Sequence, residues 1–121
     1  MLYQPQDAVP LLEKGVQTAQ LSGDLYLQGL NFAYLAEAYH GLGDRSRSIL
    51  MASLGMYLLE QINANEWHQP AGLLSILQGQ MGDEALRSAQ AQHRREIIAL
   101  IGVDGYDHLP TLLEQYKRSL S

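Results

Sequence analysis

Residues 32–44 read Phe-Ala-Tyr-Leu-Ala-Glu-Ala-Tyr-His-Gly-Leu-Gly-Asp. Apolar and small residues recur three and four positions apart in this stretch, which is the spacing of one face of an α-helix. Gly43 can adopt the left-handed conformation that closes a helix. Asp44 can accept hydrogen bonds from the free amides that open the next helix. The stretch therefore predicts a helix, a tight joint and a second helix.

The same kind of joint recurs along the chain. Gly-Asp pairs stand at 23–24, 43–44 and 82–83, and residues 63–66 form a turn-prone Asn-Ala-Asn-Glu segment. The joints at 43 and 82 lie 39 residues apart, and those at 23 and 63 are about as far apart. This spacing indicates a repeating unit of two helices.

The joints divide the chain into helices with short connections, so that consecutive helices run antiparallel. No segment predicts a strand, and we expect a single all-α domain over residues 1–121, built from stacked helical hairpins. Residues 102–105 are predicted to form a loop, with Asp107 capping the last helix and Pro110 in its first turn. The predicted helices are 7–22, 25–42, 44–62, 67–81, 84–101 and 108–120.

The two helices after the first joint are apolar nearly all round. A helix of that kind is buried on more than one side, as expected for the middle of a stack. The helix at 25–42 also carries three alanines, Ala33, Ala36 and Ala38, which permit a neighbouring helix to approach closely. We therefore predict that the helices at 25–42 and 44–62 form the centre of the domain.

Residues 32–44 resemble the first helix and turn of the tetratricopeptide repeat, with a large aromatic, Leu beside a small residue, Tyr, and then Gly-Asp. Ser48, Ala52 and Gly55 stand where the second helix of that family carries small packing residues. The resemblance is weaker over 67–101. The 39-residue spacing exceeds the usual repeat of about 34 residues, and in this it is similar to the longer variety in bacterial regulatory proteins.

The resemblance implies a short right-handed solenoid of about six helices that acts as a protein–protein interaction scaffold. Ala33 and Glu37 occupy the places of the Lys and Asn with which one subtype holds the terminal carboxylate of chaperones, which disfavours that subtype. The implied partner is a protein or peptide, and the chain is expected to be part of a larger regulatory protein. On this mapping the concave groove is lined by Ala33, Tyr34, Glu37, His40, Leu73 and Ile76.

Composition excludes several other classes of function. The formal net charge is −5, with 13 acidic against 8 basic residues, which argues against nucleic-acid binding. There are no cysteines, so disulfides and thiolate chemistry are excluded. The chain shows no signal peptide and no apolar run near the ~20 residues of a membrane span. We expect a cytoplasmic protein without a membrane partner.

No motif for catalysis, cofactor binding or metal binding stands out, and we predict that the protein is not an enzyme. The four histidines, His40, His68, His93 and His108, lack a spacing typical of metal ligands. The alternative hypothesis is a small-molecule-binding or catalytic helical bundle, with its site near His40, Glu37 and Trp67. The modestly apolar helix at 7–22 suggests a fragment of a longer array, or self-association through an uncapped end.

Overall fold

The computed structural model describes residues 4–121, which form six α-helices and one short 3-10 helix. No strand occurs within this range, so the all-α prediction is confirmed. The helices are α1 Pro5–Ser22, α2 Leu25–Gly41, α3 Arg45–Gln61, α4 His68–Met81, α5 Asp83–Gln92 and α6 Arg94–Ser119, with the 3-10 helix Asn65–Trp67 preceding α4.

Helices α1 to α4 pack against one another in chain order as antiparallel hairpins, and α6 departs from that order. Helix α2 packs extensively on both α1 and α3, and it also touches α4. Helix α3 lies at the centre, in contact with α2, α4, α5 and α6. Ten of its seventeen residues are buried, which agrees with its nearly uniform apolar character. Helix α6 packs on α3 and α4 and ends the stack.

Backbone conformation divides the chain at regular intervals. Within residues 4–121, the residues with positive φ are Gly23, Gly43, Asn63, Gly82 and Gly102. Successive members of this series lie 19 or 20 residues apart. The structural unit is therefore a helical segment of about 20 residues, and two such units make up the 39-residue spacing found in the sequence.

The first three joints share one hydrogen-bonding pattern. At each, the positive-φ residue donates its amide to the carbonyl three residues back, and the next amide donates to the carbonyl five residues back. This satisfies carbonyls that a helix end leaves without partners. Asp24 and Asp44 then accept from the amides of Leu27 at 2.9 Å and Arg47 at 3.0 Å. At these two Gly-Asp pairs the glycine therefore ends one helix and the aspartate caps the next, as predicted.

The last two joints are built differently. Gly82 and Gly102 combine φ of 94° and 79° with ψ of 154° and 170°, a region that is essentially restricted to glycine. One residue therefore redirects the chain without a loop. The predicted capping role of Asp83 is wrong, because Asp83 is the first residue of α5 and its carboxylate accepts hydrogen bonds from Gln78 and Arg87 instead.

Two sequence predictions near the C-terminus are also wrong. The helix expected at 84–101 is interrupted at His93, whose Nε2 lies 2.8 Å from Ser46 Oγ of α3. The loop expected over 102–105 shrinks to Gly102, because that single residue makes the turn. Helical structure resumes directly after it, so Asp107 and Pro110 lie within α6 rather than at its start.

The contact between α2 and α3 depends on two glycines, Gly29 and Gly55, whose lack of a side chain leaves room for the other helix. A Cβ added to Gly55 would lie 3.0 Å from the backbone nitrogen of Ala33 and 3.2 Å from the carbonyl oxygen of Gly29. A Cβ added to Gly29 would lie 2.7 Å from Cγ of Leu59. The two backbones therefore approach closely, as the small residues of the sequence predicted.

Buried polar side chains connect the stacked helices. Ser48 donates to the carbonyl of Ala36 at 2.8 Å, which ties α3 to α2. Gln90 of α5 donates to Ser53 Oγ at 3.0 Å, and Ser53 in turn donates to the carbonyl of Ile49. Because a buried polar group without a partner costs about 1–3 kcal/mol, these bonds favour one alignment of the helices over others.

We predict that Gly55→Ala lowers the free energy of unfolding by about 1–3 kcal/mol, because the added methyl group meets backbone atoms of α2 that cannot move aside. Gly79→Ala is the matched control, since no atom lies within 4 Å of its added Cβ. That substitution should raise stability by about 0.5–1 kcal/mol. Urea unfolding of both variants measures the difference, and equal effects would contradict the close approach of α2 and α3.

We also predict that Gly102→Ala destabilises the fold by about 1–3 kcal/mol, because alanine is strained at that backbone conformation. Asn63→Gly tests the other kind of joint, where the left-handed conformation is accessible to both residues. It should change stability by less than about 0.5 kcal/mol, since relief of the residual strain opposes the greater freedom of glycine when unfolded. Thermal unfolding of the two variants checks both expectations.

Candidate functional site

One face of α2 is left without a covering helix. Its residues follow the three- and four-residue spacing of a helix surface. Helices α1 and α3 cover the other sides of α2, where Phe32, Leu35 and Tyr39 are buried. Leu30 is half-buried, and the other members of this surface are exposed. We call this surface the α2 face, and it consists of Tyr26, Leu30, Tyr34, Glu37 and His40.

An apolar cleft of about 400 Å³ opens at the C-terminal half of the α2 face. Tyr34, Glu37 and Ala38 form its α2 wall. Its opposite wall comes from the first turns of α1, where Pro5, Ala8 and Leu12 contribute apolar side chains. Tyr34 is 48% exposed beside this cleft, so an aromatic side chain and an apolar recess are both accessible from solvent.

At the N-terminal half of the α2 face, the Tyr26 hydroxyl donates a hydrogen bond to the Glu66 carboxylate. Glu66 lies in the 3-10 helix before α4, so this bond links two units of the stack. The bond lowers the pKa of Glu66 below its ordinary value, because it favours the ionised carboxylate. It also raises the pKa of Tyr26, because the phenol would lose its donated proton on ionisation.

The structure separates the six residues that the sequence assigned to the groove. Tyr34, Glu37 and His40 lie together on the α2 face. Ile76 is 57% exposed on α4. Ala33 and Leu73 are buried in the core, where Ala33 lies against Gly55 of α3. Their side chains are therefore not available to a partner in this structure.

Sequence reasoning missed the other contributors to this surface. Pro5, Ala8 and Leu12 repeat every three to four residues, which is a helical signal, but nothing in it indicates a cleft rather than a core. Glu66 lies 40 residues from Tyr26, and no local pattern connects the two. Tyr26 itself was accessible to prediction, because it precedes Tyr34 by two turns on the same face.

A second, larger cleft of about 860 Å³ lies where the start of α3 meets the joint between α4 and α5. Its polar lining includes Arg45, Ser46, Asp83 and Glu84. The pKa of Asp83 is lowered chiefly by the amide of Gln78, followed by the guanidinium of Arg87. Gln78 lies in the last turn of α4 and Arg87 one turn along α5, so the shift follows from the local packing at this joint. The lining of the cleft does not include His40, Glu37 or Trp67, the residues of the alternative hypothesis.

The histidines and the tryptophan occupy separate places. Trp67 packs at the edge of the core, with its ring edge-to-face against His68 and Tyr116 at centroid distances of 4.6 and 6.2 Å. His93 bridges Ser46 and Glu96 at the break before α6. Across residues 4–121, no three His, Asp or Glu side chains are grouped as they would be around a metal ion.

The outward surface of α1 is mostly polar. Its exposed apolar residues are Pro10, Leu11 and Leu21, of which Leu21 is 91% exposed at the end of the helix. Such a surface suits contact with water. Self-association through α1 stays a prediction. The other exposed residues of α1 are Gln6, Asp7, Glu13, Lys14, Gln17, Thr18, Gln20 and Ser22.

None of the helices within residues 4–121 combines the length and the apolar character needed to cross a bilayer. No protein-family model, curated protein or solved structure matches the chain. The resemblance to tetratricopeptide repeats therefore stays a prediction, and the α2 face has to be interpreted from its own chemistry.

We predict that Tyr26→Phe raises the pKa of Glu66 toward its ordinary value, because the main cause of its depression is removed. Tyr34→Phe is the control and should leave the pKa of Glu66 unchanged. A pH titration of the Glu66 side-chain carboxyl by NMR measures both variants. An unchanged value in Tyr26→Phe would show that the hydrogen bond does not persist in solution.

The same bond makes stability depend on pH in a defined direction. Since the pKa of Glu66 is lower in the folded state, its ionised carboxylate stabilises the fold above the unfolded pKa. This stabilisation is lost as the pH falls through the folded pKa. Since the pKa of Tyr26 is raised, the stabilisation it contributes is present below its ordinary pKa of 10.0 and is lost as the pH rises through the folded pKa. Unfolding of wild type and Tyr26→Phe should therefore converge at both extremes of pH.

Proposed function

We propose that the α2 face binds a peptide segment of a partner protein, and that the chain is a scaffold rather than an enzyme. The observation that best supports this proposal is that the half-exposed Tyr34 lies beside an apolar cleft of about 400 Å³. Tyrosine is enriched where proteins meet, because it combines a large apolar ring with a hydroxyl that can hydrogen-bond. A cleft beside it supplies the recess into which a partner side chain can insert.

The rigidity of the surrounding helices supports this proposal. Tyr34 and Glu37 project from a helix that is packed against α3 with little room for adjustment. A surface held in this way loses little conformational freedom on binding, which favours affinity. We also propose that the stack is a tetratricopeptide-like repeat of the longer bacterial variety, and that it works in the cytoplasm as part of a larger regulatory protein.

The experiment is selection of displayed random peptides on the immobilised chain, followed by binding measurements with a synthetic copy of an enriched peptide. The double variant Tyr34→Ala, Glu37→Ala should weaken binding by at least about thirtyfold, because loss of a central aromatic contact costs about 2 kcal/mol or more. A pull-down from the native host with the same variant tests the natural partner.

The double variant Leu21→Ala, Asp104→Ala is the matched control, since it removes one apolar and one acidic side chain from exposed positions elsewhere. Its circular dichroism and unfolding midpoint should equal those of the wild type, as should those of the Tyr34, Glu37 variant. Enriched peptides that bind the Tyr34, Glu37 variant as tightly as the wild type would overturn the proposal, and so would the failure of any peptide to be enriched.

A further inference from the structure

The α2 face and its neighbour Glu66 carry two carboxylates and no Lys or Arg. Glu37 stands beside the cleft, and Glu66 is held against Tyr26 at the opposite end of the face. Within residues 4–121, the salt bridges join Asp44, Asp83, Glu96 and Glu114 to basic partners, so neither Glu37 nor Glu66 is neutralised by one. The hydrogen bond from Tyr26 leaves the charge of Glu66 in place.

The distribution of charge along the chain adds to the negative charge around the α2 face. Residues 4–43 contain four carboxylates and one Lys or Arg, Lys14. The other seven Lys and Arg residues of the chain follow residue 44. The hairpin of α1 and α2 therefore carries a negative field, while α3, α5 and α6 carry nearly all of the positive charge. A field of this kind raises the rate at which cationic segments encounter the hairpin.

Two tyrosines stand among these charges. Tyr26 and Tyr34 project from the α2 face, and these residues are 39% and 48% exposed. The face of an aromatic ring attracts a Lys ammonium or an Arg guanidinium. Carboxylates and aromatic rings thus favour the same kind of ligand group at both ends of the surface, and the apolar cleft accommodates a neighbouring uncharged side chain.

From this arrangement we infer that the α2 face recognises a basic peptide segment in which an apolar residue lies next to one of two spaced Lys or Arg residues. This deepens the proposed function and depends on it. One basic residue pairs with Glu37 and the other with Glu66, each beside a tyrosine. The apolar residue enters the cleft formed by Ala8, Leu12 and Tyr34.

Helix geometry sets the spacing of the basic residues. Tyr26 and Glu37 are eleven positions apart on α2, which corresponds to about 16 Å along a helix that rises 1.5 Å per residue. An extended peptide advances about 3.3 Å per residue. The two basic residues of an extended ligand should therefore lie about five positions apart, with the apolar residue adjacent to the one that pairs with Glu37.

The test uses the same peptide selection and measures the charge of the enriched sequences against the starting library. We expect enrichment of Lys and Arg, with pairs about five positions apart. A labelled copy of an enriched peptide should bind Glu37→Gln and Glu66→Gln about fivefold more weakly than wild type, since one exposed charge pair contributes up to about that factor. Asp104→Asn removes a carboxylate from α6 and should leave binding unchanged.

Ionic strength and charge reversal complete the test. Affinity should fall as salt rises, and the fall should be shallower for the double variant Glu37→Gln, Glu66→Gln. Replacing the Lys and Arg residues of the enriched peptide by Gln should weaken binding to wild type more than to that double variant. Both results would support direct pairing between these groups.

The outcomes separate the inference from the proposed function. Enriched peptides that depend on Tyr34 but show no excess of basic residues would overturn the inference and leave the proposed function intact. Basic peptides whose affinity is unaffected by Glu37→Gln and Glu66→Gln would also overturn it, because their binding would come from net charge alone. The absence of any enriched peptide would overturn both.

Discussion

The close approach of α2 and α3 is the constraint on which the rest of the structure depends. Two glycines, Gly29 and Gly55, allow backbone atoms of the two helices to lie within contact distance of each other. Such an approach gains many dispersion contacts but leaves almost no tolerance for added atoms. Because α3 is thereby drawn into the centre of the stack, its remaining sides are available to α4, α5 and α6.

This constraint also determines which part of α2 reaches solvent. With α3 on one side and α1 on another, the helix keeps an exposed surface that includes the α2 face. Tyr26 and Tyr34 are exposed because packing has used the other sides of the helix. Tyr39, on another side of the same helix, is buried, and its hydroxyl donates a hydrogen bond to the Glu13 carboxylate at 3.4 Å. Position on the helix therefore decides the role of each tyrosine.

Much of the fold could be predicted because its joints are local events. A glycine followed by an aspartate carries both the left-handed turn and the capping side chain, and these need no help from distant residues. The interruption at His93 involves a contact with Ser46, 47 residues away, which no local pattern contains. Gly102 looked like the start of a loop, because glycine and aspartate are common in loops, but α6 continues beyond it on the surface of α3 and α4.

The candidate site was predictable only in part, for a related reason. Tyr34, Glu37 and His40 were assigned to the groove by the family resemblance, and the structure keeps these three together on the α2 face. Ala33 and Leu73 were assigned to the groove by their family positions, yet each is covered by neighbouring helices in this stack. The opposite wall of the cleft comes from the start of α1, and Glu66 comes from the 3-10 helix. Their positions depend on how the hairpins pack, which short-range patterns do not report.

The two kinds of joint divide the molecule into a part with repeated joint geometry and a part with single-glycine turns. The first three joints repeat one hydrogen-bonding pattern, so α1, α2 and α3 follow each other with the same geometry at each turn. The α2 face lies within the part with repeated joint geometry, between the joints at residues 23 and 43. The single-glycine turns at 82 and 102 lie farther along, where α5 and α6 bend to close the end of the stack. The single-glycine turns are thus remote in the chain from the proposed binding surface. Under that proposal, a ligand would meet a surface that is already ordered, and ordering the scaffold would cost little of the binding free energy.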